Sequence, residues 1–556
     1  LIWLDILKTA DPASIVKANR PIQRRHQHKI IKLQSFRQTT ILCGLLFIKR
    51  KAHRSANFDT ALSRLSHRGP DAHHSELIDD IWYLGHCRLD IIDLNQRSDQ
   101  PMWDPEGRYA ILFNGEIYNY LELAKRHNLV TRTSSDTEVL LLLYRKLGSA
   151  MLSELNGMFA FVIFDRISND YFIARDRLGV KPLYFYEDSD WLIYSSEIPP
   201  ILDITGNPGL SEEGMRQYRL LRTFFNGRTA YDRIDMFPAG FSALNGKRQR
   251  YWQLPSGHQP PPQDEELRAL IEDAVKIRTI ADVAVGSFLS GGIDSTIVAT
   301  LSGKPDTWTV GFSDMNEFDW SNIAASHIHS HHSILEIDQS QFFSALEALT
   351  KLRFEPLSVP NEISLYLLSK EIKKKNTVVL SGEGADELFF GYDRIFRWAA
   401  TCKSFDIRAF AAHYAYAQPD DDLEIIDSVI TPFRDRGSPL DVVAAFFQIG
   451  HLHGLLRRLD ASTMAASIEA RPPFCDYRLV ERMAGVPASY RMSSDIVKAP
   501  LKRIFQDIVP PAIINRDKVG FPLPLERLFP APSDVKPTAR WLNYCEHEFH
   551  RFGATL

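Results

Sequence analysis

Hydrophobic and polar positions follow two different rhythms along this 556-residue chain. Tyr109-Ala110-Ile111-Leu112-Phe113 and Phe159-Ala160-Phe161-Val162-Ile163-Phe164 are short apolar runs rich in aromatic and β-branched residues, which predicts β-strands. Between them, Thr137 to Leu147 predicts a helix, because Ser134-Ser135-Asp136 supplies residues that cap helix starts. Many strands with few helices between them predict packed sheets over residues 43–236. Around Gln259-Pro260-Pro261-Pro262-Gln263 the chain becomes a stiff, extended connector. Beyond it, Asp282 to Leu289, Thr307 to Phe312 and Thr377 to Leu380 read as strands followed by helical sequence, which predicts a parallel sheet with helical cover. The expected division is an extension at 1–42, a sandwich at 43–236, a connector at 237–263, a parallel-sheet domain at 264–530 and a loosely held tail at 531–556.

Charge and composition narrow the function classes. Lys plus Arg is 65 and Asp plus Glu is 69, a formal net charge of −4 that excludes a bulk nucleic-acid binder. No run of 18 apolar residues exists, so no membrane-spanning helix and no membrane partner are expected. Five cysteines, odd in number and without CxxC spacing, disfavour a disulfide framework or a zinc site and suit a reducing, cytoplasmic setting. Residues 1–42 carry eight Lys or Arg against Asp5 and Asp11, without a sustained period. Such a stretch reads as a dispensable or wrongly assigned extension, or as a transit leader. His327-Ile328-His329-Ser330-His331-His332 would place three histidines on one face if it were a strand, but no Cys or carboxylate lies at a matching spacing, so a metal site is rejected. Lys373-Lys374-Lys375 reads as a solvated helix end.

The strand ending at Phe288-Leu289 runs into Ser290-Gly291-Gly292-Ile293-Asp294-Ser295 and then an apolar helical stretch. Two glycines at a strand-to-helix turn let backbone N–H groups approach an anion, and the helix N-terminus adds positive potential. Without Gly-Lys-Ser/Thr this is not a Walker-type loop. It suits a pyrophosphate held as a leaving group, with Asp294 available for Mg²⁺. A second acidic loop, Ser381-Gly382-Glu383-Gly384-Ala385-Asp386-Glu387, follows another predicted parallel strand, so Asp294 and Asp386 lie where Mg²⁺ and phosphate are bound in open α/β sheets. Glu383 is placed for proton transfer, and Glu387 reads as a first-turn carboxylate answering the helix dipole.

From about Cys43 to about Leu525 the chain resembles the glutamine-dependent asparagine synthetase family. The matching blocks are the two loops above, Leu388-Phe389-Phe390-Gly391-Tyr392, Glu469-Ala470-Arg471-Pro472-Pro473-Phe474, Lys498-Ala499-Pro500-Leu501-Lys502 and Arg516-Asp517-Lys518-Val519-Gly520-Phe521. The first half adds Ser66-His67-Arg68-Gly69-Pro70-Asp71, Gly85-His86-Cys87-Arg88-Leu89, Phe113-Asn114-Gly115-Glu116-Ile117 and Ala174-Arg175-Asp176-Arg177-Leu178-Gly179-Val180-Lys181-Pro182. Those look like blocks of a class II glutamine amidotransferase domain. The resemblance implies an N-terminal-nucleophile αββα sandwich followed by a PP-loop domain, with glutamine, aspartate and ATP as substrates, Mg²⁺ as cofactor and a homodimer as the assembly.

By the same resemblance, Phe288, Leu289, Ser290, Gly291, Gly292, Asp294, Ser295, Val310, Ser381 and Gly382 lie at the nucleotide. Lys498 neutralises phosphoryl and acyl charge, and Glu383 takes a proton from attacking ammonia. Arg88 grips the glutamine α-carboxylate, Glu116 and Asp136 hold its α-ammonium, and Asn114 with the Gly115 N–H forms the oxyanion hole. Cys43 is the nucleophile, whose own α-amino group serves as base in this class. Here the chain departs from the family, because Cys43 is internal and a peptide nitrogen cannot accept that proton. Three remedies are open: cleavage after Leu42, a start codon read here as Leu42, or an inert glutaminase with ammonia used directly. Amidation of a carboxylate other than aspartate, or closure of an internal amide, is the alternative activity.

Overall fold

A computed structural model describes residues 30–31 and 43–553, apart from 70–71, 90, 416–421, 494, 518–519 and 531–535. Alternation along the strands explains the first domain. In strand Gly44–Arg50, Leu45 and Phe47 pack into one cluster and Leu46 and Ile48 into another. In strand Tyr109–Ile117, Ala110 and Leu112 join the Leu45 cluster, while Ile111 and Phe113 face away from it. Two sheets therefore meet face to face through a shared apolar layer, as the period of two along a strand requires.

One sheet runs Ile234–Met236, Tyr184–Glu187, Trp191–Ser195, Gly44–Arg50, Trp82–Arg88 and Ala72–Ile78, antiparallel throughout. Helices Phe58–Ser63 and Pro199–Thr205 cover its outer face through Leu62, Ile201 and Leu202. The second sheet runs Lys247–Arg250, Phe241–Leu244, Tyr171–Arg175, Gly157–Asp165, Tyr109–Ile117 and Met102–Trp103. Helix Asp136–Leu147 covers it, burying Val139, Leu140, Leu141 and Leu143, and Ser135 caps its start by accepting from the Thr137 N–H at 3.2 Å. The layering is αββα.

The second domain is built on a parallel sheet ordered Ile30–Ile31, His331–Ile337, Asp306–Phe312, Val285–Phe288, Val378–Leu380 and Glu469–Arg471. The chain proceeds outward from Val285–Phe288 on one side and returns to its other side at Val378–Leu380. That reversal makes a crevice at the strands' carboxyl ends, where ligands bind in open α/β sheets.

Two expectations change, those for the connector and the tail, and two further readings gain detail. Residues 237–263 are not connector throughout: Phe241–Leu244 and Lys247–Arg250 form a hairpin that pairs with Tyr171–Arg175 and extends the sandwich. The tail includes helix Pro537–Gly553, whose Trp541, Leu542, Cys545 and Phe549 are buried at helical spacing. Trp541 packs against Phe342 and Phe529, so this segment belongs to the core. The histidine tract is split, with His327 in the last turn of helix Phe318–Ile328, His329 capping it at φ 53°, and His331 opening the next strand, so the three do not share a strand face. In the lysine run, Lys375 pairs with Asp306 and Lys374 with Glu371 at 2.6 Å. The leader reading of residues 1–42 lies outside the described residues except for Ile30–Ile31. Among the described residues, no helix is long and apolar enough to cross a membrane.

Candidate active sites

The sandwich brings the dispersed first-half residues to one cavity, lined by Cys43, Arg88, Asn114, Gly115, Glu116 and Asp136. Cys43 immediately precedes strand Gly44–Arg50, and its Sγ accepts from the Leu89 N–H at 3.1 Å. Burial pushes its thiol up to about 12, although the Leu89 N–H favours the thiolate. A thiol in that state needs a base before it can attack. Arg88 ends strand Trp82–Arg88 and is held by Asp99 at 2.6 Å and the Asn95 carbonyl at 2.9 Å.

Asn114 Nδ2 donates to Ser196 Oγ at 3.4 Å, and that hydroxyl also accepts from the Leu45 N–H at 3.0 Å, so the amide has a fixed orientation. Gly115 lies at φ 153°, and a Cβ there would stand 2.1 Å from the Met158 carbonyl oxygen, so only glycine fits. Asp136, at the first position of its helix, accepts from the Ile117 N–H at 2.9 Å. Burial raises it to about 6 against the pull of the Ile117 and Thr137 N–H groups. Glu116 is raised well above the ordinary carboxylate range by burial and by Asp136, while Arg471 opposes the shift. The carboxyls expected at an α-ammonium thus lie in a buried site, where Arg471 offsets only part of the cost of the Glu116 charge.

That cavity is not closed by the sandwich alone. Met464 and Glu469 of the parallel-sheet domain also line it. A buried ionic chain crosses the same boundary: Glu197 to Arg68 at 2.5 Å, Arg68 to Asp460 at 2.8 Å, Asp460 to Lys181 at 3.4 Å, and Lys181 to Glu469 at 3.3 Å. Arg471 completes it, reaching both Glu469 and Glu116 at 2.8 Å. The motifs holding Arg68, Lys181 and Glu469-Ala470-Arg471 stand out in the sequence, but no task for these side chains is legible there. Apart from the pair Arg471–Glu469, their partners lie more than a hundred residues away, so no local spacing could have revealed the network.

The second site occupies the crevice of the parallel sheet. Ser290 and Ser295 hydroxyls lie 3.1 Å apart, and Ser290 Oγ accepts from the Gly292 N–H at 3.2 Å, which shapes the loop. Gly291, at φ 73°, has the Trp320 backbone 2.3 Å from where a Cβ would stand. Phe288 ends its strand, and Leu289 N–H donates to the Trp308 carbonyl at 2.8 Å. Val310 is buried within strand Asp306–Phe312, its side chain in the interior cluster, so only its backbone is left to face a ligand. Gly382 packs close to Asp294 and the Ser295 N–H.

Lys498 brings the two acidic loops together. Its Nζ lies 2.5 Å from Asp294 and 2.6 Å from Asp386. Burial opposes the ammonium, but the two carboxylates outweigh it and raise the group above its ordinary range. Gly391 makes this possible, since a Cβ there would stand 1.7 Å from Asp386 Oδ1 and 2.5 Å from Lys498 Cε. Paired carboxylates of this kind fit a hard, oxygen-seeking cation such as Mg²⁺. Glu383 pairs with Arg458, a partner absent from the sequence reading. Glu387 stands in the first turn of helix Ala385–Phe389, as expected, but it is 1% exposed, accepts from Tyr392 Oη at 2.5 Å, and is raised by burial and then by Asp386, so it is an interior group.

Comparison with known proteins places both halves. A family described as glutamine amidotransferase domain matches residues 42–252, and one described as asparagine synthase matches residues 266–542. A Mycobacterium tuberculosis H37Rv protein that carries the name of a glutamine-hydrolysing asparagine synthetase is 30% identical over 87% of this chain and 88% of its own. Asparagine synthetase 1 of Bacillus subtilis strain 168, named as glutamine-hydrolysing, is 29% identical over 87% of each chain. The Gallus gallus protein of that name is 28% identical over 82% of this chain and 80% of its own. Fold and sites therefore define a glutamine amidotransferase unit of the N-terminal-nucleophile type joined to a PP-loop synthetase unit. Within that class, the chain belongs to the glutamine-hydrolysing asparagine synthetase family.

Proposed function

We propose that this enzyme makes asparagine from aspartate with glutamine as nitrogen donor and ATP as the source of activation. The observation that carries the reading is the convergence of Cys43, Arg88, Asn114, Gly115, Glu116 and Asp136 on one cavity, in a chain that also pairs Asp294 and Asp386 across Lys498. In the first site, Arg88 takes the glutamine α-carboxylate through a planar two-donor fork, and Glu116 and Asp136 take the α-ammonium. Cys43 Sγ attacks the side-chain amide carbonyl while Asn114 and the Gly115 N–H stabilise the oxyanion. Ammonia leaves, and water releases glutamate from the thioester. The thiol's proton goes to the Cys43 α-amino group, which requires residue 43 to be the terminus, through cleavage after Leu42 or a start at that codon.

In the second site, aspartate's β-carboxylate displaces pyrophosphate from the α-phosphorus of ATP, giving an acyl-adenylate. Ammonia adds to the acyl carbon, AMP departs, and Glu383 takes the proton that the new amide sheds. Asp294 and Asp386 would hold Mg²⁺, which when bound supplies charge neutralisation to the phosphates. Lys498 stands at the same carboxylates and neutralises the developing charge on phosphoryl and acyl oxygens. Arg458 fixes the Glu383 carboxylate toward the loop. Free cysteines at all five positions suit a reducing, cytoplasmic setting.

The test is to incubate protein that begins at Cys43 with aspartate, MgATP and glutamine, then measure asparagine, AMP and pyrophosphate. Equal amounts of all three, dependent on glutamine, are expected. Pyrophosphate without asparagine would move the acceptor to another carboxylate, and equal turnover with and without a nitrogen donor would overturn the amidotransfer reading.

A further inference from the structure

Arg471 touches both sites at once. Its side chain is fully buried, with Nη2 2.8 Å from Glu116 Oε2 in the glutamine cavity and Nε 2.8 Å from Glu469 Oε1. Its Nη1 donates to the carbonyls of Arg278 and Ile280 at 3.1 and 2.6 Å, which fixes the guanidinium plane. Its own carbonyl accepts from the Ser381 N–H at 3.0 Å, the first residue of the loop that carries Glu383 and Asp386. Strand Glu469–Arg471 lies parallel to Val378–Leu380, so the strand that ends at Arg471 continues the backbone lattice on which the nucleotide loop is hung.

From this geometry we infer that Arg471 is a positioning residue that couples occupancy of the glutamine cavity to the placement of the Ser381 loop. This rests on the roles given above to Glu116 and to the Ser381 loop. The physical reason is competition for one carboxylate. Glu116 Oε2 is engaged by Arg471, while Glu116 Oε1 accepts no hydrogen bond among the described residues. An α-ammonium entering beside Glu116 and Asp136 offers that carboxylate a second cation. The Arg471 fork then shifts weight toward Glu469, which lines the same cavity. A buried guanidinium cannot turn to water for compensation, so a change of partner is transmitted to the strand that bears it. Because coupling between two binding events is reciprocal, ATP must change affinity for the glutamine-site ligand by the same factor.

The probe is L-glutamate, which offers the α-carboxylate and α-ammonium without an amide to hydrolyse. MgATP affinity is measured on the full chain by calorimetry, with and without saturating glutamate, for wild type, Arg471→Lys and Arg471→Met. Wild type is expected to show a change of about fivefold or more, the lower end of ordinary coupling. Arg471→Lys keeps the buried charge but cannot span both carboxylates, and its factor is expected to fall below twofold. A wild-type factor of one, or a full factor retained in Arg471→Lys, overturns the inference. If the variants do not fold, hydrogen exchange on wild type decides: glutamate is expected to change protection of the peptide spanning residues 377–384, and unchanged protection overturns the proposal. Loss of glutamine-dependent turnover in wild type would count against the assigned reaction instead, since the binding measurements need no catalysis.

Discussion

The glutamine cavity and the adenylation crevice solve different problems of placement. The crevice takes Ser290 to Ser295 from the end of one strand and Ser381 to Asp386 from the end of its neighbour, two short loops that parallel pairing brings side by side. The cavity takes groups from five separate segments of an antiparallel sandwich and closes only when Met464 and Glu469 arrive from the other domain. A parallel sheet delivers a ready site wherever its strand order reverses. An antiparallel sandwich has no such preferred place, and its site depends on every strand being in register. The cavity is therefore the part more exposed to distant damage.

The sharpest way to break that comparison is Cys43→Ala in protein beginning at residue 43. Glutamine-dependent asparagine formation is expected to fall by at least about 10³-fold, while ammonia-dependent formation stays within twofold, because nucleophile and adenylation chemistry share no groups. Parallel loss with both nitrogen sources would show that the two sites are not separable. Lys498→Ala is the mirror experiment, with a loss of about 10²-fold or more for both nitrogen sources, since charge stabilisation at the acyl-adenylate is common to both routes. Glutamine hydrolysis measured as glutamate release should survive in that variant. Asn114→Ala sharpens the first site: about 10²-fold lower glutamine-dependent turnover with little change in KM is expected of an oxyanion donor, and a KM effect alone would make it a substrate-binding group instead.

The same contrast explains what could be read from the chain. The adenylation loops were legible because their chemistry is contiguous: glycines, serines and carboxylates follow a strand and precede a helix within a few positions. Helix Asp136–Leu147 and strands Tyr109–Ile117 and Gly157–Asp165 were legible from period and capping alone. The hairpin at Phe241–Arg250 was not, because Lys247-Arg248-Gln249-Arg250 is an exposed edge strand without apolar alternation. Helix Pro537–Gly553 was hidden by the charged residues interleaved with Trp541, Leu542, Cys545 and Phe549. Arg471 and Arg458 had no role legible in the sequence for one shared reason. A buried charge has meaning only with its partner, and neither Glu116 beside Arg471 nor Glu383 beside Arg458 is close in sequence.

The smallest expected effect bears on stability and returns to the cavity. Asp136 titrates near 6 in the fold against 3.8 for the free acid, chiefly because it is buried. The folded state therefore binds the proton more tightly, and the stability this contributes is complete below about pH 4 and lost as pH rises through 6. A difference of that size is worth about 3 kcal/mol. Asp136→Asn removes the cost of the charge at neutral pH but weakens the acceptor for the Ile117 N–H, a loss of about 1 kcal/mol. A net gain of about 2 kcal/mol at pH 7.5 follows, together with a raised KM for glutamine, as expected where a binding site holds an unfavourable charge. Melting temperatures of variant and wild type compared from pH 4 to 7.5 check the sign. The variant's advantage should appear between pH 4 and 6.5 and then level off. A difference that does not vary across that range would mean that Asp136 ionises as an ordinary surface carboxylate, and the buried environment assigned to its side chain would be wrong.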